Sequence, residues 1–336
     1  MLNFRSALKV KNSLKLKNRI VIPAMASATA NVDGEVTKET IEHYERLATS
    51  AAGLIIVEYS YVCRSGRSEE HQLAASSDRH IAGLAKLAQA IKRCGAKASL
   101  QLTHAGGKTD RKLTEGPLIS PSGVPVMRRD MVHETPDVAT TADISHLREK
   151  FASAAERAYR AGFDGIEIHA AHGYSLNQWL SPLTNQRKDG YGSNLAGRLR
   201  LLREIIIDIK AGLPELFISV RIPGQDYQID GLNLHDSVQI ARCLENIGVD
   251  IISVSSGLAG WRRPRNKIGE GYLVEDAAAV KTALKIPVIG VGGITSSDFI
   301  DQSLLNESFD LAAVGRALLK NPLWFSLTPC LVLKHI

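Results

Sequence analysis

Short runs of apolar, mostly β-branched residues recur along the chain and alternate with longer amphipathic stretches. The runs are Ile20–Ile22, Leu54–Val57, Ala98–Leu102, Gly165–Ile168, Phe217–Ile222, Ile251–Val254, Val288–Val291 and Leu311–Val314, eight in all. Between them lie helical patterns over Thr37–Ser50, Arg79–Cys94, Ile144–Ala161, Leu195–Ala211, His235–Ile247, Glu275–Leu284 and Ser297–Leu305, with one more opening at Ala317–Leu319. Within Phe151–Ala161 the period is plain. Ala154, Ala155, Ala158 and Ala161 make one small apolar face, while Glu156, Arg157 and Arg160 point away. Gly95 and Gly162 follow helices, where a left-handed cap favours glycine.

Strands apolar at consecutive positions are buried on both faces, the pattern of a parallel sheet covered by helices. Eight βα units close into a (β/α)₈ TIM barrel. A doubly wound open sheet is the alternative. The whole chain, 1–336, reads as one domain. Two segments exceed simple loops: residues 103–143, a long insertion after strand 3 that suits a small lid, and residues 170–194 after strand 4. In a barrel both emerge at the C-terminal rim, where chemistry sits.

Composition narrows the classes. No apolar run approaches the ~18 residues of a membrane span, so no membrane partner is expected. Of the net charge of +6, six basic residues near the start (Arg5, Lys9, Lys11, Lys15, Lys17 and Arg19) account for all of it, and no acid precedes Asp33. The remainder is balanced, so no basic face for nucleic acid is implied. The start reads as a solvated segment in preference to a transit peptide, and it lacks a secretory apolar stretch. The cysteines at 63, 94, 243 and 330 are too far apart for a local zinc or iron–sulfur site. A cytoplasmic location is expected.

The densest chemistry is Ile166-Glu167-Ile168-His169-Ala170-Ala171-His172-Gly173-Tyr174. A buried strand ends and polar side chains follow at once. His169 and His172 suit two N–H donors to one oxygen, withdrawing electrons from a carbonyl or nitro group. Tyr174 supplies a nearby phenolic proton. A competing reading is a metal site of His104, His169 and His172, which would make the protein a metal-dependent barrel hydrolase, but no acidic partner stands out. Our reading has no metal.

Gly290-Val291-Gly292-Gly293 after strand 7 and Gly315-Arg316 after strand 8 suit a phosphate: bare backbone N–H groups with a bidentate guanidinium. Arg221 ends strand 5 and needs a partner, either an electron-rich ring or a carboxylate such as Glu167 or Asp226. Gln101 ends strand 3 and both donates and accepts, as recognition of a flavin pyrimidine edge requires. The loop Trp261-Arg262-Arg263-Pro264-Arg265-Asn266-Lys267 reads as a solvated loop, the alternative being a seat for the anionic part of a dinucleotide.

These residues together resemble the old yellow enzyme family of FMN-dependent NAD(P)H:flavin oxidoreductases. The likeness runs from Leu16-Lys17-Asn18-Arg19-Ile20-Val21 to Gly315-Arg316-Ala317-Leu318-Leu319. It is carried by Gln101-Leu102-Thr103-His104-Ala105-Gly106, by Glu167 to Tyr174, and by Leu180-Ser181-Pro182-Leu183-Thr184-Asn185-Gln186-Arg187 with Asp189-Gly190-Tyr191-Gly192-Ser193. The resemblance implies a (β/α)₈ barrel holding one non-covalent FMN at its rim, with NADPH or NADH as reductant. It implies that Pro23, Ala24, Met25 and Ala26 line the flavin, with Tyr59 beside it. Gln101 would meet the pyrimidine edge and Arg221 the N1 side. Ser256, Gly292, Gly293, Gly315 and Arg316 would surround the phosphate side. His169 and His172 would hold the substrate oxygen, and Tyr174 would donate the proton.

The implied activity is ene-reduction of an enone, enal or nitro compound, with a homo-oligomer as a compatible assembly. A flavin-dependent dehydrogenase or demethylase is the alternative within the fold. The chain departs from the family at three places. Ala24 stands where Pro usually precedes Met, and a thermophile-like branch has Cys at the position of Ala26 and Tyr at that of Ala28.

Overall fold

The structure is a computed structural model and describes residues 2–11, 14–128, 131–132 and 134–324; Cys330 lies outside them. Eight parallel strands close into a barrel: β1 (Ile20–Ile22), β2 (Leu54–Tyr61), β3 (Lys97–Thr103), β4 (Gly165–His169), β5 (Phe217–Gln225), β6 (Ile251–Ser256), β7 (Val288–Gly290) and β8 (Leu311–Ala313). Closure is made by β8 against β1, with Ala312 opposite Ile20 and Ala313 opposite Val21. The open-sheet alternative is thereby excluded.

The helices are α1 (Lys38–Ala48), α2 (Ile81–Arg93), α3 (Thr141–Arg160), α4 (Ser175–Leu180), α5 (Leu195–Gly212), α6 (Leu234–Asn246), α7 (Val274–Thr282), α8 (Ser297–Leu305) and α9 (Arg316–Lys320). Capping sets several starts. Thr37 accepts from the Thr40 N–H at 3.1 Å while Thr40 Oγ1 accepts from the Thr37 N–H at 3.2 Å, a reciprocal cap on α1. Thr140 and Asp143 do the same for α3, so it begins at Thr141, earlier than the apolar period alone indicates.

Two apolar clusters form. The larger packs the outward strand residues against the helices. The smaller fills the barrel floor with Val21, Leu54, Ile56, Phe217, Ile251, Ile289, Leu311 and Ala313. Leu14 and Leu16 complete that floor. They belong to a hairpin of Leu8–Lys11 and Leu14–Leu16, so the basic start is not a solvated segment. The correction has a simple basis. Apolar and basic residues alternate there with period two, and the strands bury Leu14 and Leu16 while Lys15 and Lys17 face outward. Lys11 pairs with Asp250 at 3.5 Å, and the Phe4 N–H donates to the buried Asp301 carboxylate at 2.7 Å. Each buried Leu is worth roughly 1.5–3 kcal/mol.

Above the floor the inward strand face turns polar. Strands β2, β4, β5 and β6 carry polar side chains at or past their midpoints, at Glu58, His169, Arg221 and Ser255. Residues 103–143 form two small strand pairs, Ile119–Ser120 with Asp137–Val138 and Met127–Arg128 with Met131–Val132. Gln178 of α4 ties this insertion to the next loop. Its Nε2 donates to Ala105 O and Gly173 O, and its Oε1 accepts from the Gly107 N–H at 3.0 Å.

Candidate functional site

Strand register builds the site in layers. Glu167 stands opposite Gln101 and Ser219, and His169 opposite Arg221, which in turn faces Ser253. Residues in register across neighbouring strands share a face, so these side chains converge inside the barrel mouth.

His169 and His172 are buried and joined. Nε2 of His169 lies 3.1 Å from Nδ1 of His172. His172 Nε2 lies 2.7 Å from Ser255 Oγ, and His169 Nδ1 lies 3.4 Å from Thr103 Oγ1. His172 can turn back toward His169 because its backbone is left-handed, with φ of 60°. Burial drives both imidazoles well below the usual histidine range, and the positive charges of Arg221 and Lys108 push the same way. Both rings are neutral at pH 7, so each carries one N–H and one lone pair. The Tyr174 ring stands edge-on to His169, centroids 4.8 Å apart, and 5.8 Å from the Tyr59 ring. Tyr59 stays a phenol, since burial raises its pKa well above the usual value.

His104 does not join this pair. Its Nδ1 accepts from the Gly106 N–H at 3.0 Å, and its Nε2 lies 3.5 Å from Ser65 Oγ. Burial lowers its pKa to about 4. The three-histidine metal reading is therefore set aside: among the described residues no three His, Cys, Asp or Glu side chains gather as metal ligands.

Arg221, fully inside the barrel, donates from Nη2 to Ser255 Oγ at 3.2 Å, and its Nε has no partner. Glu167 lies close enough to offset part of the cost of burying the guanidinium, while Asp226 is engaged elsewhere, accepting from the N–H groups of Leu232 and Leu258. Burial raises the Glu167 carboxyl, and Arg221 and Gln101 oppose the rise. Gln101 Nε2 donates to Glu167 Oε2 at 2.6 Å, while Glu167 Oε1 has no partner. Two buried polar atoms left unmatched in one layer are costly unless something else meets them.

The glycine loops meet the first βα loop. A Cβ added at Gly315 would lie 3.0 Å from Met25 Sδ and 3.6 Å from Pro23 Cγ. Gly292 has φ of 137°, and a Cβ there would strike the Tyr272 and Leu273 backbone nitrogens at 2.9 and 2.8 Å. Gly293 abuts Tyr272 and Arg316. Ala24 and Met25 are half-buried and Ala26 is exposed, so this loop opens to the mouth. Ser256 Oγ donates to Gly260 O, which fixes the start of the loop after β6.

Four residues escaped the sequence reading. Ser255 and Thr103 bracket the imidazole pair. Lys108 is buried, donates to His172 O, and stands 5.0 Å over the Tyr174 ring. Glu58 is buried, and its carboxylate accepts from the Ser27 N–H at 2.8 Å and from Ser27 Oγ. Burial raises its pKa to about 7. The available signal was a charge placed directly after an apolar run or inside a glycine-rich loop, as in Val57-Glu58 and Gly107-Lys108.

The sequence profile of the NADH:flavin oxidoreductase / NADH oxidase family matches residues 6–328, and the chain belongs to that family. It is 41% identical over 316 residues to the NADPH dehydrogenase of Halalkalibacterium halodurans, covering 94% of this chain and 90% of that one. It is 37% identical over 318 residues to the NADH oxidase of Thermoanaerobacter brockii, covering 93% of this chain and 48% of that longer protein. Among solved structures, the old yellow enzyme homologue from Zymomonas mobilis superposes with a TM-score of 0.82 at 21% identity, over 96% of this chain and 90% of that one. A 2-naphthoyl-CoA reductase superposes at 0.88 with 23% identity, over 96% of this chain and 51% of that one. These two structures share the fold. The protein is an FMN-dependent oxidoreductase of the old yellow enzyme family that draws on NADH or NADPH. No helix among the described residues is long and apolar enough to cross a membrane.

Proposed function

We propose that the enzyme reduces carbon–carbon double bonds activated by a carbonyl or nitro group. The observation that carries this reading is the neutral imidazole pair, its facing nitrogens 3.1 Å apart, beside the Tyr174 ring. In that contact one nitrogen donates to the other; an inserted substrate oxygen would meet two donors once both rings carry the proton on the facing nitrogen, their other nitrogens then accepting from Thr103 and Ser255. Neutral imidazoles fixed in a buried pocket cost little reorganisation as charge develops on that oxygen, and they make the β-carbon electron-poor. Tyr174, half-buried at the mouth, holds the proton for the α-carbon. The Lys108 Nζ stands 5.0 Å from the centroid of the Tyr174 ring.

The residues fit FMN. The unmatched Arg221 Nε and Glu167 Oε1 mark a polar layer that a flavin pyrimidine edge would complete. In this reading Gln101, Arg221 and Met25 hold the ring system, with Pro23, Ala24, Ala26 and Tyr59 around it. Ser256, Gly292, Gly293, Gly315 and Arg316 hold the phosphate side, where side-chain-free backbone permits close approach. Bound there, FMN supplies hydride transfer from NAD(P)H to the β-carbon.

The test is anaerobic. The holoenzyme is reduced with NADPH, then mixed in a stopped-flow instrument with an enone, an enal and a nitroalkene. Rapid return of the oxidised flavin spectrum with formation of the saturated product is expected. Reoxidation by oxygen but by none of the three alkenes would refute the reading.

A further inference from the structure

The loop after β6 runs from the substrate mouth to the glycine cradle. It leaves the mouth at Gly260, where an added Cβ would lie 3.6 Å from Lys108 Nζ. Trp261 follows, 65% exposed, with the Arg262 guanidinium 5.8 Å from its ring centroid. Pro264 is buried and accepts from the Lys267 N–H at 3.1 Å, which pins the middle of the loop. The Arg263 guanidinium stands 4.9 Å over the Tyr272 ring, whose N–H donates to Gly292 O at 3.1 Å. Arg262, Arg263 and Arg265 are all exposed. The loop's other charges are engaged. Lys267 pairs with Glu275 at 2.6 Å, and Glu270 accepts the N–H groups of Thr295 and Ser296. Among the described residues no carboxylate pairs with the three arginines.

Three exposed guanidiniums without carboxylate partners, fixed by a buried proline beside an exposed indole, make a seat for a doubly charged oxyanion attached to a flat ring. We propose that Arg262, Arg263 and Arg265 receive the 2′-phosphate on the adenosine ribose of NADPH, with Trp261 offering its face to the adenine, so that this loop selects NADPH over NADH. The placement suits the task. The nicotinamide must reach the mouth at His169 and Tyr174, and its adenosine end then lies outward, over the rim on which this loop stands. The solvated-loop reading from sequence leaves three adjacent like charges without a purpose; a phosphate monoester gives them one.

The experiment compares the holoenzyme with R262Q/R263Q/R265Q, following flavin reduction anaerobically against NADPH and NADH concentration. The apparent Kd for NADPH is expected to be about tenfold or more below that for NADH, and to rise by about tenfold or more in the variant. The NADH value should shift by less than about twofold. A second arm uses the unmodified enzyme: adenosine 2′,5′-bisphosphate competes with NADPH at least about tenfold better than 5′-AMP, and the difference shrinks as salt rises. Equal shifts for the two reductants in a flavin-replete variant would overturn the proposal, as would equal inhibition by the two nucleotides. A change confined to the reoxidation step by a carboxylate-bearing alkene would also overturn it, assigning the arginines to the substrate. A variant that loses flavin is decided by the inhibition arm, and alkene reactivity plays no part in either arm.

Discussion

His169 and His172 hydrogen-bond to each other, Nε2 to Nδ1 at 3.1 Å, within a line that runs from Thr103 through both rings to Ser255. A substrate oxygen must enter that contact to gain two donors. His172→Ala removes one donor and leaves His169 with only Thr103. An enone should then bind the oxidised holoenzyme about 5- to 100-fold more weakly by spectral titration, the cost of one lost hydrogen bond in a buried site. Because both folded-state pKa values lie well below the ordinary histidine range, wild-type affinity should stay flat from pH 6 to 8. The same depression makes folding stability full above the unfolded histidine value and lost as pH falls below it, so acid should unfold the wild type more readily than a variant lacking both imidazoles.

Tyr174→Phe keeps the ring that packs on His169 and Tyr59 and removes only the hydroxyl. Flavin reduction by NADPH should change by less than about twofold, and alkene-dependent reoxidation should fall by about 10²–10⁴, the range of general-acid contributions. Equal loss in both half-reactions would remove Tyr174 from the proton-donor role.

Arg221 and Glu167 share one buried layer, so removing either leaves the other charged without its partner. Arg221→Met should weaken FMN retention by about tenfold or more, read by flavin fluorescence on dilution, and lower the Tm. Arg221→Lys keeps the charge and loses the planar fork, and should fall between the two.

Glu58 anchors the residue that follows Ala24-Met25-Ala26, through the Ser27 N–H and hydroxyl. Its pKa is raised from 4.5 to about 7, so the folded state holds a proton that the unfolded chain releases earlier. The stability this gives is complete below pH 4.5 and is lost as pH rises through 7, by about 3 kcal/mol over that window. Glu58→Gln should flatten the dependence of Tm on pH between 5 and 8. An unchanged slope in that variant would show that another group titrates there.

Gly292 has backbone of a neighbouring loop within 2.9 Å of where a Cβ would stand. Gly292→Ala must push the Tyr272–Leu273 segment outward, and its φ of 137° resists any side chain. We expect a loss of FMN affinity larger than that of Arg316→Gln, measured by the same dilution assay.

Much of the fold was open to reading because the barrel's rule is local. Each strand is apolar on consecutive positions and each helix on one face, and Ser297–Leu305 and Leu195 onward fall where the periods put them. The N-terminal hairpin was missed although its alternation is present. Four lysines within nine residues outweighed Leu14 and Leu16, and only the barrel floor makes those two leucines core. Strand ends were also missed for one reason. Glu58, His169 and Ser255 directly follow their runs and are polar, and a polar residue ends an apolar run in sequence even when the strand continues.

The chain by itself determined the barrel, the imidazole–tyrosine cluster and the glycine loops, because those depend on residue type at fixed spacing along short segments. Only the tertiary structure decided that His169 and His172 bond to each other, that His104 stays apart, that Lys108 and Glu58 belong to the mouth, and that Arg263 leans on Tyr272 beside the cradle. Those facts depend on backbone conformation, such as the left-handed turn at His172, and on strand register and loop approach, and no local period encodes which side chains these bring face to face.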